Sequence, residues 1–77
     1  MINGDKVILS PKSKRGKNRI REHGSIWTVI QTRGNDILVE SEFRTMKIDG
    51  KWVTEWLWVS VDSDNDFSVI LSPLKGG

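Results

Sequence analysis

The sequence predicts an all-β fold: one small domain of about five strongly bent antiparallel strands that close, or nearly close, into a barrel. Three observations predict it. No stretch of the 77 residues sustains a helical spacing of apolar side chains. Short runs rich in β-branched residues recur, separated by Gly, Pro, Asn and Asp. A chain this short with no Cys must also build its core from a few large side chains, and four Trp and two Phe supply them. Closing a bent sheet removes exposed edges, which favours a barrel over an open sheet.

The first strand reads as Asp5 to Ser10, preceded by Asn3-Gly4 and stopped by Pro11. Lys12 to His23 has no apolar period, one Gly and an isolated Ile20, so it reads as a long, exposed, mobile loop. No helix longer than about two turns is expected. Gly24 opens the second strand, Ser25 to Thr32, with Trp27 and Val29 on one face and Ile26 and Ile30 on the other. Arg33-Gly34-Asn35-Asp36 is a turn. The third strand, Ile37 to Phe43, alternates most cleanly: Ile37, Val39 and Phe43 on one face, Glu40, Glu42 and Arg44 on the other. Asp49-Gly50 is the strongest hairpin signal, since a type I′ turn needs positive φ at both central residues. It joins a strand near Arg44 to Ile48 with one running unbroken from Lys51 to Val61. Asp62 to Asp66 is a polar turn, Phe67 to Leu71 a last strand, and Ser72 to Gly77 a loose tail. One domain spans 1–77, with its core in about 4–71.

Gly4-Asp5-Lys6-Val7-Ile8, then Gly24-Ser25-Ile26-Trp27-Thr28-Val29, then Ile37-Leu38-Val39-Glu40 resembles the pattern of small SH3-like barrels, nearest to the KOW and Tudor flavours. The ending, Trp58-Val59-Ser60 through Phe67-Ser68-Val69-Ile70, is similar too. The resemblance covers roughly residues 4 to 71 and implies a single small SH3-like barrel. The segment after the first strand departs from a KOW loop, being longer and strongly basic.

Charge is distributed unevenly. Formal net charge is +2, but six of the 12 basic residues lie in one window: Lys12, Lys14, Arg15, Lys17, Arg19 and Arg21. No acid falls inside it, and the rest of the chain carries 6 basic against 10 acidic residues, a balance of −4. A basic loop on a mildly acidic body suits a phosphate backbone, where cations release condensed counterions. It equally suits an acidic protein surface, or a merely solvated loop. Gly16 and Asn18 would keep the loop flexible.

Trp52, Trp56 and Trp58 share parity, so an unbroken strand puts them on one face, with Val53, Leu57, Val59 and Val61 on the other. If the aliphatic face is the core, the rings form an exposed aromatic surface that could stack bases or anchor a protein interface. A bulge that turns rings inward is the alternative, with at least two of the four Trp structural and Trp27 first among them.

Asp62-Ser63-Asp64-Asn65-Asp66 looks like the start of a calcium loop, but its sixth and twelfth places hold Phe67 and Pro73 instead of Gly and Glu. Turn and capping roles suit these Asp residues better. His23, the one His, reads as a surface residue. No nucleophile, base and orienting group form a recognisable set, and no metal or cofactor is expected.

A non-enzymatic binding module is therefore expected. Its partner is DNA or RNA, contacted by Lys12, Lys14, Arg15, Lys17, Arg19 and Arg21 with Trp52 and Trp56. The alternative is an acidic surface of a larger host protein such as a polymerase or nuclease, in the manner of small phage- or prophage-type regulators. Met1 to Ser10 carry no leader-like pattern and no apolar run approaches the ~20 residues of a membrane span, so a cytoplasmic monomer without membrane contact is expected.

Overall fold

Residues 2–71 are described by a computed structural model. Five strands form one antiparallel sheet: β1 (Lys6–Pro11), β2 (Ile26–Arg33), β3 (Asp36–Ser41), β6 (Trp56–Ser60) and β7 (Phe67–Leu71). Their order is β6-β3-β2-β1-β7. Between β3 and β6 a separate two-stranded hairpin is inserted, β4 (Met46–Ile48) and β5 (Lys51–Val53). The all-β expectation holds.

Alternation decides which face is buried. Val7 and Leu9 of β1, Trp27 and Val29 of β2, Ile37 and Val39 of β3, Val59 of β6 and Phe67 of β7 form one core cluster. Both edge strands contribute to that cluster, so the sheet curls around it. The pairing of β2 with β3 shifts register between Val29 and Gln31, an irregularity of the kind that sharpens a sheet's bend. Asp49 (φ 52°) and Gly50 (φ 79°) both take the left-handed conformation, as the type I′ reading of that hairpin requires.

The sheet's two edges meet at a side chain. Ser41 N–H bonds the Glu55 carbonyl and Val61 N–H the Asn35 carbonyl. By antiparallel alternation the polar groups of Trp56, Trp58 and Ser60 therefore point away from β3. Two of these outward N–H groups are taken by carboxylates: Trp56 donates to Glu55 Oε1 at 3.0 Å and Ser60 to Asp64 Oδ1 at 3.2 Å. Asp64 Oδ2 also accepts from Phe67 N–H at 3.0 Å and Asp66 N–H at 2.9 Å. One carboxylate thus joins the start of β7 to the end of β6. The turn and capping role expected for these Asp residues is borne out at Asp64.

Four expectations are corrected. The segment read as a loop contains a 10-residue helix, α1 (Lys14–His23), which at 3.6 residues per turn exceeds two turns. The third strand ends at Ser41, and Phe43 lies outside it, exposed. The stretch Lys51 to Val61 is two strands with Thr54 and Glu55 between them. Pro11 closes β1 as its last paired residue, opposite Phe67, rather than standing beyond it. The expected loose tail, Ser72 to Gly77, lies outside the described residues.

Candidate nucleic-acid interface

The helix owes its existence to its ends and one narrow face. Ser13 caps the start, its hydroxyl accepting from Gly16 N–H at 3.0 Å while donating to Asp66 Oδ1 at 2.6 Å. At the other end Gly24, at φ 88°, donates its N–H to the Ile20 carbonyl at 2.7 Å. The inward residues are Gly16, Ile20 and His23, an i, i+4, i+7 stripe. A Cβ on Gly16 would stand 2.2 Å from the Asp66 carbonyl oxygen, so only Gly lets the helix lie this close to the turn. Gly16 is therefore a packing residue and Asn18 lies within the same helix, so the flexible role read for both is corrected. The mobile loop gives way to a docked helix for the same reason.

His23 is buried, 4% exposed, and the surface reading is corrected. Its Nδ1 is hydrogen-bonded to the Thr45 hydroxyl. Its ring meets Trp27 edge-on, centroids 6.1 Å apart. Its Nε2 lies 3.6 Å from carboxylate oxygens of both Glu22 and Glu55. Arg19 Nη1 donates to Glu55 Oε2 at 2.7 Å. Thr45 precedes β4 and Glu55 follows β5, so α1 grips both stems of the inserted hairpin. Trp27 ties the same corner to the core, its indole N–H donating to the Gly24 carbonyl at 3.0 Å.

The six predicted cations divide accordingly. Lys14, Arg15, Lys17 and Arg21 are exposed, with no ion pair among the described residues. Lys14, Lys17 and Arg21 are spaced i, i+3, i+7, opposite the buried stripe. Lys12 is exposed but its ammonium donates to the Asp64 carbonyl at 2.8 Å. Arg19 is held by Glu55 and serves the docking of the helix.

The tryptophans divide as well. Trp27 is fully buried, as expected, whereas Trp52, Trp56 and Trp58 are 58%, 57% and 47% exposed. The inward-turned alternative is corrected: the break at Thr54 and Glu55 moves Trp52 to the hairpin without burying any ring. On the sheet's outer face Lys6, Thr28, Glu40 and Trp56 form one cross-strand row. Glu40 Oε2 accepts from the Trp56 indole at 3.0 Å and from the Thr54 hydroxyl at 2.8 Å. The guanidinium of Arg33 lies 5.1 Å from the Trp58 ring centre, and Lys47 Nζ 5.9 Å from that of Trp52. A cleft of about 770 Å³ separates hairpin from sheet, lined by Trp52, Trp56, Lys6, Glu40, Glu42 and Arg44. None of the helix cations lines it, so the two halves of the predicted site adjoin only through Glu55, which lines the cleft and pairs with Arg19.

Sequence reasoning missed Glu55, Thr45 and the inward role of His23. The available signals were the caps: Ser13 three residues before Gly16, and Gly24 after His23. Among the described residues there is no cluster of His, Cys, Asp and Glu able to hold a metal, and no helix long and apolar enough to cross a membrane. The chain matches no protein-family model, no curated protein and no solved structure.

Proposed function

We propose that the protein is a non-enzymatic module that binds nucleic acid through the outward face of α1. The observation that supports this reading is the placement of Lys14, Lys17 and Arg21 in one exposed stripe, with Arg15 exposed on a different side of the helix and none of the four in an ion pair among the described residues. That stripe works against its own helix. Cations in the first turn oppose the helix dipole, and like charges at i+3 and i+4 repel. Docking through Gly16, Ile20 and His23 sustains the helix regardless, and a polyanion would relieve the repulsion.

The test is to replace Lys14, Arg15, Lys17 and Arg21 together by Gln. Arg19 is left intact, since it holds Glu55. Binding to DNA and RNA should be nearly lost while the circular dichroism spectrum is unchanged. Four unpaired cations bound the log–log salt slope of α1 at roughly −4 on duplex DNA. Undiminished binding by the quadruple variant, or no binding by the unmodified protein at low salt, would refute the reading.

A second reading is docking onto an acidic surface of a larger protein of the nucleic-acid machinery. The exposure of Ile26, Trp58 and Ile70 on the sheet's outer face favours it. Capture of one such protein from a nuclease-treated lysate, lost in the quadruple variant, would support it. The strand order β7-β1-β2-β3-β6 is consistent with the proposed kinship to small SH3-like barrels, with β4–β5 as an insertion. A cytoplasmic monomer of the phage-regulator type remains part of the proposal.

A further inference from the structure

We infer that the cleft between the β4–β5 hairpin and the sheet takes an unpaired base, and hence that the partner is single-stranded nucleic acid. The inference rests on the reading of α1 as a polyanion-binding face. Arg44, Lys47 and Lys51 lie on or beside the hairpin's two strands, with Asp49 at its turn and Glu42 and Glu55 flanking it. Glu55 is paired with Arg19 and Glu40 with the Trp56 indole and the Thr54 hydroxyl, so two of the three carboxylates lining the cleft already have partners. A hydrogen bond between His23 and Thr45 and one from Arg19 to Glu55 fix the hairpin's two stems against the helix. Hairpin and helix therefore adjoin at Glu55, whose charge is matched by Arg19, and a strand bound to both would cross at that ion pair.

The cleft beside the hairpin holds what a backbone groove alone would not. Trp52 lines it from the hairpin and Trp56 from the sheet, both more than half exposed. Its volume, about 770 Å³, lies within the range of small-ligand sites. The indole N–H of Trp56 is already bonded to Glu40, which fixes that ring and leaves its face for stacking. Lys47 Nζ lies over one face of the Trp52 ring, 5.9 Å from its centre, so a base would stack on the other face with a cation close by for the neighbouring phosphate. Bases inside a duplex present only their edges, so rings standing out from a surface can stack on a base only once it is unpaired.

The experiment compares a labelled single-stranded oligothymidine with a duplex of equal length, using unmodified protein, Trp52→Ala, Trp52→Phe and the pair Lys47→Gln with Lys51→Gln. The single strand should bind more tightly than the duplex. Trp52→Ala should weaken single-strand binding by about 5- to 150-fold, the equivalent of one lost stacking contact. Duplex binding should be unaffected and Trp52→Phe should largely retain single-strand affinity. The Lys pair should flatten the single-strand salt slope by about one contact or less per residue. Equal binding of both forms with no effect of Trp52→Ala would overturn the inference and leave the reading of α1 standing. Failure of the unmodified protein to bind either form at low salt would overturn both.

Discussion

The inner face of the five-stranded sheet and the helix docked against it are held in place by different physics. The sheet buries eight apolar side chains in one cluster, from Val7 to Phe67. The helix brings one aliphatic side chain, Ile20, and otherwise relies on a missing side chain at Gly16 and on polar bonds made by Ser13, Arg19 and His23. Burial is non-directional and forgiving of small shifts. A contact built from a backbone approach and a few hydrogen bonds is specific in position but contributes less energy. The difference explains how a strongly charged segment can be ordered with scarcely any apolar surface.

Three substitutions sharpen the comparison. Trp27→Ala removes the largest buried side chain and should cost about 3–5 kcal/mol in chemical denaturation, a large share of a small domain's stability. An unchanged midpoint would mean the core does not depend on that ring. Gly16→Ala is next. On helix propensity alone Ala would gain about 1 kcal/mol. The approach to the Asp66 carbonyl should reverse the sign and give a loss of roughly 1–3 kcal/mol. A stabilised variant would show that α1 is not seated against that turn. Ser13→Ala should have the smallest effect, about 1 kcal/mol, through loss of the cap. It should appear first as faster amide exchange at Gly16, with the sheet's protection largely retained. Equal loss of protection in sheet and helix would mean that the two regions open together.

The same contrast governs what could be read from sequence. Strands β1 to β3 were legible because burial on one face imposes a period of two, and Val7, Leu9, Trp27, Val29, Ile37 and Val39 all lie inward as that period requires. The hairpin was legible because Asp49-Gly50 meets a backbone demand few other pairs meet. The helix was not, because two of its three inward residues, Gly16 and His23, do not register as apolar. Gly24 reads as the opening of a strand, yet it also ends the helix. The division at Thr54 and Glu55 was hidden because Trp52, Trp56 and Trp58 keep the same parity across it. Of the candidate site, the cations and exposed rings were legible individually. Their partition between helix and cleft depends on Glu55 and Thr45, which carry no local signal.

The carboxylates on the sheet edges have a consequence for behaviour at high concentration. A strand reading Trp-Leu-Trp-Val-Ser, at an edge and without Lys or Pro, is the kind of segment on which further copies stack into fibrils. Growth of such an assembly begins with an incoming chain claiming the outward N–H groups. Glu55 and Asp64 already hold those of Trp56 and Ser60, and Asp64 holds that of Phe67 on the opposite edge. A newcomer must displace charged acceptors at both ends of β6 and finds only the Trp58 N–H open as a donor between them. The chain can thus display aromatic rings on an edge strand while denying that edge to its own kind.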